Sequence, residues 1–204
     1  MSDFPEGSLA ASLLRSVTHS LEQLVFFETE HDPNLQLKDL KDGYWFHIAI
    51  TEPITGSLTI YGDGSLFPAM AEQLFSDLSG NDMQRASDDL GREVANTIAG
   101  HLMAHLFTEQ AFSLGLPDSG TGIPNDESSH TYIGFNIEGK QLMVTLGGAG
   151  LLEQAEIRNQ AQHEQRPVDG WNDPFAEADS SWGQGPEANP ETGQWPATGK
   201  WAQE

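Results

Sequence analysis

The residues of this chain best placed to do chemistry lie together in one stretch, Asp89-Leu-Gly-Arg-Glu93-Val-Ala-Asn96-Thr-Ile-Ala-Gly100. A helix turns about 100° per residue, so positions three and four apart share a face. With Asp89 at zero, Glu93 falls at about 40°, Asn96 at about 340° and Gly100 at about 20°. Leu90, Val94, Ile98 and Leu102 occupy about 100° to 220° of the same wheel. One side of the helix seeks a core, and the other shows carboxylates, an amide and a glycine to solvent. Acidic residues early in a helix complement its dipole, which is explanation enough for Asp88, Asp89 and in part Glu93. An exposed asparagine in mid-helix is weakly unfavourable and has no such excuse.

Other chemistries find less to stand on. His101 and His105 have the i, i+4 spacing of two metal ligands, but they fall at about 120° and 160°, amid the apolar stripe. Partly buried, hydrogen-bonded histidines are the expectation there, and no metal is assigned. The serines lack a nucleophile elbow, and Gly62-Asp-Gly-Ser65 is too short and lysine-free for a phosphate loop. The chain has no cysteine, which excludes disulfides, thiolate metal sites and cysteine nucleophiles together.

The elements that must carry the 89–100 helix can be placed from pattern. Leu9, Leu13, Val17, Leu21 and Leu24 predict an amphipathic helix over 8–24. Val25 to Glu30 has β-type composition and is broken by Asp32-Pro33-Asn34. Alternation over 44–50 and a second short run over 56–61, around the Thr51-Glu52-Pro53 turn, predict a hairpin. A helix is expected from about Phe67 to Leu78, with Ser65 as cap and Gly80 as stop. Asn81 or Asp82 then caps the helix that bears the candidate site and continues to about Phe107. A strand over 111–116 ends at Pro117, and 118–129 is expected to be a surface loop. Ile133, Phe135 and Ile137 alternate, as do Leu142, Val144 and Leu146, so a hairpin turns at Glu138-Gly139-Lys140. A short polar helix over 151–165 closes the domain.

Totals set the outer bounds. The formal charge is −22, from 9 Lys plus Arg against 31 Asp plus Glu. Such a field repels nucleic acid and anionic membranes, so neither is an expected partner. It suits solubility or salt adaptation, or attraction to a basic patch on another protein. No apolar run nears the roughly 20 residues of a membrane span, and the N-terminus lacks the pattern of a secretory signal, so the cytoplasm is the expected address. Composition shifts at Arg166. Residues 167–204 hold 5 Pro, 5 Gly, 7 acidic residues and a single basic one, Lys200. They also hold four of the five tryptophans, Trp171, Trp182, Trp195 and Trp201, together with Phe175. Residues 1–165 are read as one domain, and 166–204 as a disordered acidic tail. That tail is either a solubilising appendage or a peptide that orders in a partner's groove.

The stretch Ser87 to Gly100 closely resembles the signature helix of the CheC/CheX/FliY chemotaxis phosphatases. Their motif is Asp or Ser, three residues, Glu, two residues, Asn, then a glycine and later a proline. Asp89, Glu93, Asn96 and Gly100 occupy those places, and Pro117 is the candidate proline. The resemblance covers roughly 8–147 and implies an α+β fold, an antiparallel sheet with helices packed on one face. CheC and FliY carry the motif twice. In the N-terminal helix here, Glu22 is followed by Val25 where the second Asn would stand, so the chain looks like the single-helix CheX branch, whose members dimerise through their sheets.

The activity implied is hydrolysis of the phosphoaspartate on a response-regulator receiver domain. By resemblance, Asn96 orients the attacking water and Glu93 pairs with the receiver's active-site lysine, while Asp89 and Gly100 belong to the docking face. Mg²⁺ is the receiver's own, and no cofactor is expected in this chain. Two points stay open. Gly100 either clears bulk from the presenting face or permits tight packing inside the protein. Arg92, at about 300°, either reaches phosphate or is a solvated side chain, the second being favoured. The competing function is a non-catalytic CheX-like adaptor that binds through the tryptophan-bearing tail.

Overall fold

A computed structural model describes Phe4 and residues 8–40, 42–122 and 129–153. The predicted tail and its tryptophans lie outside these residues, as do residues 154–165 of the expected last helix; residues 149–153 are helical.

Besides the helical residues 149–153, three α-helices, a 3-10 turn and a sheet of seven strands form the described domain. Helix α1, Leu9–Val25, starts at Ser8, whose Oγ accepts the Ala11 N–H at 3.1 Å. Strand β1, Glu30–His31, leads to a single 3-10 turn, Leu37–Leu40, and then to the hairpin β2, Tyr44–Glu52, and β3, Gly56–Gly62. Helices α2, Leu66–Leu74, and α3, Gly80–Leu106, follow, then β4, Ser113–Leu114, and β5, Asp118–Thr121. A long hairpin of β6, Ser129–Ile137, and β7, Lys140–Gly147, ends the sheet. All pairings are antiparallel, in the order β1-β6-β7-β3-β2-β4, with β5 also on β2.

The α+β expectation holds, with the three helices on one face. Strand alternation turns Phe46, Ile48 and Ile50 of β2 inward, with Leu58 and Ile60 of β3, Ile133, Phe135 and Ile137 of β6, and Leu142, Val144 and Leu146 of β7. They meet Leu13, Val17 and Leu21 of α1, Met70 of α2, and Val94, Ile98 and Leu102 of α3 in one apolar core. On the opposite face Leu35 and Leu40 cover Tyr61 and Met143.

Several boundaries depart from the pattern reading, each for a local reason. Val25 belongs to α1, which stops where Phe26 turns left-handed at φ 58°, so little of the expected 25–30 strand remains. Helix α2 ends at Leu74, because beyond it Phe75 and Leu78 are exposed and find no core. Gly80 does make the turn, at φ +58°, but as the first residue of α3 rather than as the stop of α2, and Ser79 takes the cap position. The strand over 111–116 shrinks to Ser113–Leu114. Part of the expected loop over 118–129 is β5, paired with β2 from Tyr44↔Thr121 to His47↔Asp118. Its sequence, Asp-Ser-Gly-Thr, has no apolar alternation, and the strand exists because the edge of β2 offers unpaired backbone groups.

Two glycines and an aspartate fix how the helical layer sits. A Cβ on Gly91 of α3 would lie 2.1 Å from the ring of Phe46, and one on Gly62 2.5 Å from the ring of Phe67. These two rings pack edge to face, 4.7 Å apart. Asp63, just past β3, accepts the Gln141 N–H at 2.7 Å and the Ser65 N–H and Oγ–H at 2.8 and 2.6 Å. Burial opposes its charge, but these hydrogen bonds outweigh it and hold its carboxyl below the usual value. Gly91→Ala should cost about 1–3 kcal/mol, because an aromatic ring wedged between helix and sheet has nowhere to move. Urea unfolding would show it as a lower midpoint at an unchanged slope.

Candidate functional site

Helix α3 is 27 residues long and uses its two sides as the wheel requires. Leu90, Val94, Ile98 and Leu102 are buried, while Asp89, Glu93 and Asn96 are exposed and Gly100 is half-exposed. None of the Asp89, Glu93 and Asn96 side chains has a hydrogen-bond partner among the described residues. The polar groups on this face are therefore unspent. A carboxamide can accept one hydrogen bond and donate two, and a carboxylate can pair with an incoming cation. Such a face can orient small polar species without covalent chemistry.

Gly100 loses one of its two explanations. A Cβ built there meets nothing within 4 Å, so packing inside the protein does not require the glycine. It keeps bulk off the exposed face next to Asn96.

Arg92 corrects the reading of a solvated side chain. Its Nη1 donates to the Pro117 carbonyl at 2.7 Å, and its Nη2 donates to Asp88 Oδ2 at 3.1 Å and also to Ser119 Oγ. Nε adds a bond to Asp88 Oδ2 at 3.2 Å, and Ser119 Oγ donates to Asp88 Oδ1 at 3.0 Å. The ring Arg92–Asp88–Ser119 brings Pro117, 25 residues on in the chain, against α3. The Asp88–Arg92 pair was readable as an i, i+4 contact. Ser119 was not, since nothing local marks β5 as a strand.

The histidines separate. His105 is exposed rather than partly buried, whereas His101 is half-buried, its Nδ1 2.9 Å from Ser20 Oγ of α1. The Ser20 hydroxyl donates to the Ser16 carbonyl at 2.6 Å, so its oxygen accepts and the network assigns the imidazole proton to Nδ1. This bond and the His19–His101 ring contact, 4.8 Å between centroids, tie α1 to α3 beside the exposed face. Among the described residues no three His, Cys, Asp or Glu side chains are grouped to hold a metal ion.

No protein-family model matches the sequence, and no curated protein matches it either. Solved structures do. Chemotaxis protein CheX from Vibrio vulnificus superposes with a TM-score of 0.57 at 16% identity, over 68% of this chain and 95% of that one. FliY from Thermotoga maritima gives 0.56 at 13% identity, over 79% and 100%. The CheX-CheY-BeF3-Mg²⁺ complex from Borrelia burgdorferi contains a chain that gives 0.53 at 16%, over 68% and 96%. The chain has the fold of the CheX and FliY chemotaxis proteins. In this CheX-like fold α1 offers no second copy of the face, for Val25, where the repeated motif would need Asn, is fully buried while Glu22 is exposed. No helix among the described residues is long and apolar enough to cross a membrane.

Two outcomes follow from this geometry. Gly100→Ala should raise stability by about 0.5–1 kcal/mol, the ordinary helix preference of alanine, with no steric cost; a lower midpoint in denaturant would contradict it. Burial first, then His19 and His105, hold His101 below its usual value of 6.5. The folded protein then binds fewer protons here than the unfolded chain, so this contribution is complete above pH 6.5 and is lost as pH falls through the lowered value. His101→Gln should flatten the fall of Tm on acidification below that pH.

Proposed function

We propose that the chain is a phosphatase for the aspartyl phosphate of a response-regulator receiver domain. What supports this reading is the face of α3: Glu93 and Asn96 exposed, one turn apart and unpartnered among the described residues, on a CheX-like fold. A solved protein of this fold stands in complex with CheY, BeF3 and Mg²⁺.

In the proposed mechanism α3 docks along the receiver's active site. Glu93 accepts a charge-assisted hydrogen bond from the receiver's lysine and sets the register. The Asn96 carboxamide oxygen accepts a hydrogen bond from a water while its NH₂ donates to a phosphoryl oxygen, which holds the water in line with the P–O bond to the aspartate. Water attacks phosphorus, the P–O bond to the aspartate breaks, and the carboxylate leaves with the bonding pair. Free phosphate carries away the oxygen of the water, whose released proton goes to solvent or phosphate. Mg²⁺ held by the receiver neutralises the phosphoryl oxygens. No covalent intermediate forms on this chain, and no cofactor of its own is needed. Asp89 and Gly100 shape the docking face, the glycine by leaving room for the receiver. Two copies paired through their sheets, acting on receivers in the cytoplasm, complete the reading.

Loss of acyl phosphate from the cell's phosphorylated receiver domains tests it. Wild type should accelerate the loss from at least one of them, and Asn96→Ala should remove about 100-fold or more of that acceleration. Glu93→Gln should weaken receiver binding by roughly 30-fold, as loss of a close interfacial charge pair does. An unchanged rate with Asn96→Ala would refute the mechanism. No acceleration across the receiver set, with partner capture lost on removal of 167–204, would favour the adaptor.

A further inference from the structure

We infer that Leu116 is a second, apolar contact for the same partner, and that Arg92 is the positioning residue that holds it beside the Glu93/Asn96 face. The inference rests on the docking reading above and extends it to residues outside the signature helix.

Leu116 is 94% exposed, more than any other exposed large hydrophobic residue described. Single exposed leucines are common and need no explanation when the backbone beneath them is free to move. This backbone is not free. On one side β4 pairs with β2 at Leu114↔Ile50, and the Gly115 N–H donates to the Ala49 carbonyl at 2.8 Å. On the other, β5 pairs with β2 at Asp118↔His47, and the Pro117 carbonyl accepts a hydrogen bond from Arg92 Nη1 at 2.7 Å. The turn 115–117 is thus pinned at both ends to one strand and at its tip to α3. Arg92 lies at about 300° on the α3 wheel, some 40° from Asn96. The loop it grips therefore flanks the exposed face directly.

A half-exposed ion pair such as Arg92–Asp88, 3.1 Å long, adds little stability in water. Its fork geometry does something else: it spans Asp88, Pro117 and Ser119 at once and sets the loop's distance from the helix. An apolar side chain on a backbone already ordered loses little freedom on docking, which is how a single anchor contributes affinity. The partner surface that would take it is apolar and borders the patch that receives Glu93 and Asn96. Because the Leu116 side chain has no group that can hold the water, move a proton or touch phosphate, it should act on affinity and leave turnover alone.

The test is the affinity of the full chain for receiver domains activated with beryllofluoride, read by calorimetry, with kcat and KM for dephosphorylation measured alongside. Leu116→Asp should raise Kd and KM by about 10-fold or more and leave kcat unchanged. Arg92→Ala should raise Kd as well, and its effect should vanish in the Leu116→Asp background, since it acts only by placing that side chain. An Arg92→Ala loss of equal size in both backgrounds would overturn the positioning role. Equal binding by wild type and Leu116→Asp would overturn the anchor while leaving the docking reading intact. A wild type that binds no activated receiver would overturn both, the docking reading first.

Discussion

The exposed face on which the proposed function rests depends on how α3 is rotated about its own axis. Gly91 lies against the ring of Phe46 with no room for a methyl group, and Val94, Ile98 and Leu102 are sealed into the core. A slip of one residue would turn the helix by about 100° and carry Asn96 toward the sheet. The contact between Gly91 and Phe46 therefore does for the outer face what a second layer of side chains does in a buried active site. Helix α1 adds a brace through Ser20 and His101, and the Arg92 ring adds another through β5. Three contacts on three sides leave one face open.

That open face is acidic on a chain of formal charge −22. The charge does not specify a partner by itself, but it weighs against any partner that presents phosphate without a compensating cation. In the proposed complex the receiver's lysine and Mg²⁺ supply that compensation, and the carboxylate of Glu93 is spent on the lysine. Catalysis then requires little of this chain beyond geometry: one amide at the right place on a helix that does not rotate. The absence of an internal partner for Asn96 among the described residues is consistent with this economy.

Much of this was legible in the sequence, because helix and strand periods are local. The two-sided α3, the α1 amphipath, and the hairpins β2–β3 and β6–β7 all follow from apolar spacing. The exposure of Asp89, Glu93 and Asn96 follows from the same spacing. What was not legible depends on contacts between distant segments. Asp-Ser-Gly-Thr becomes β5 only because β2 has a free edge, and the bonds of Arg92 to Pro117 and Ser119 exist only once β5 is there. The close seat of Gly91 on Phe46 is equally invisible in a chain where a helical glycine reads as a mild defect. Gly100 shows the converse: the sequence leaves its purpose undecided between packing and presentation, and the open space around it removes the packing explanation.

The most direct measurement follows the Asn96 side-chain amide itself, by ¹⁵N NMR of the full chain titrated with a beryllofluoride-activated receiver. The account predicts that the Asn96 Nδ2 protons and the Gly100 N–H shift together, at the same midpoint. Shifts confined to the indole protons of Trp171, Trp182, Trp195 and Trp201, with the α3 face unmoved, would contradict it.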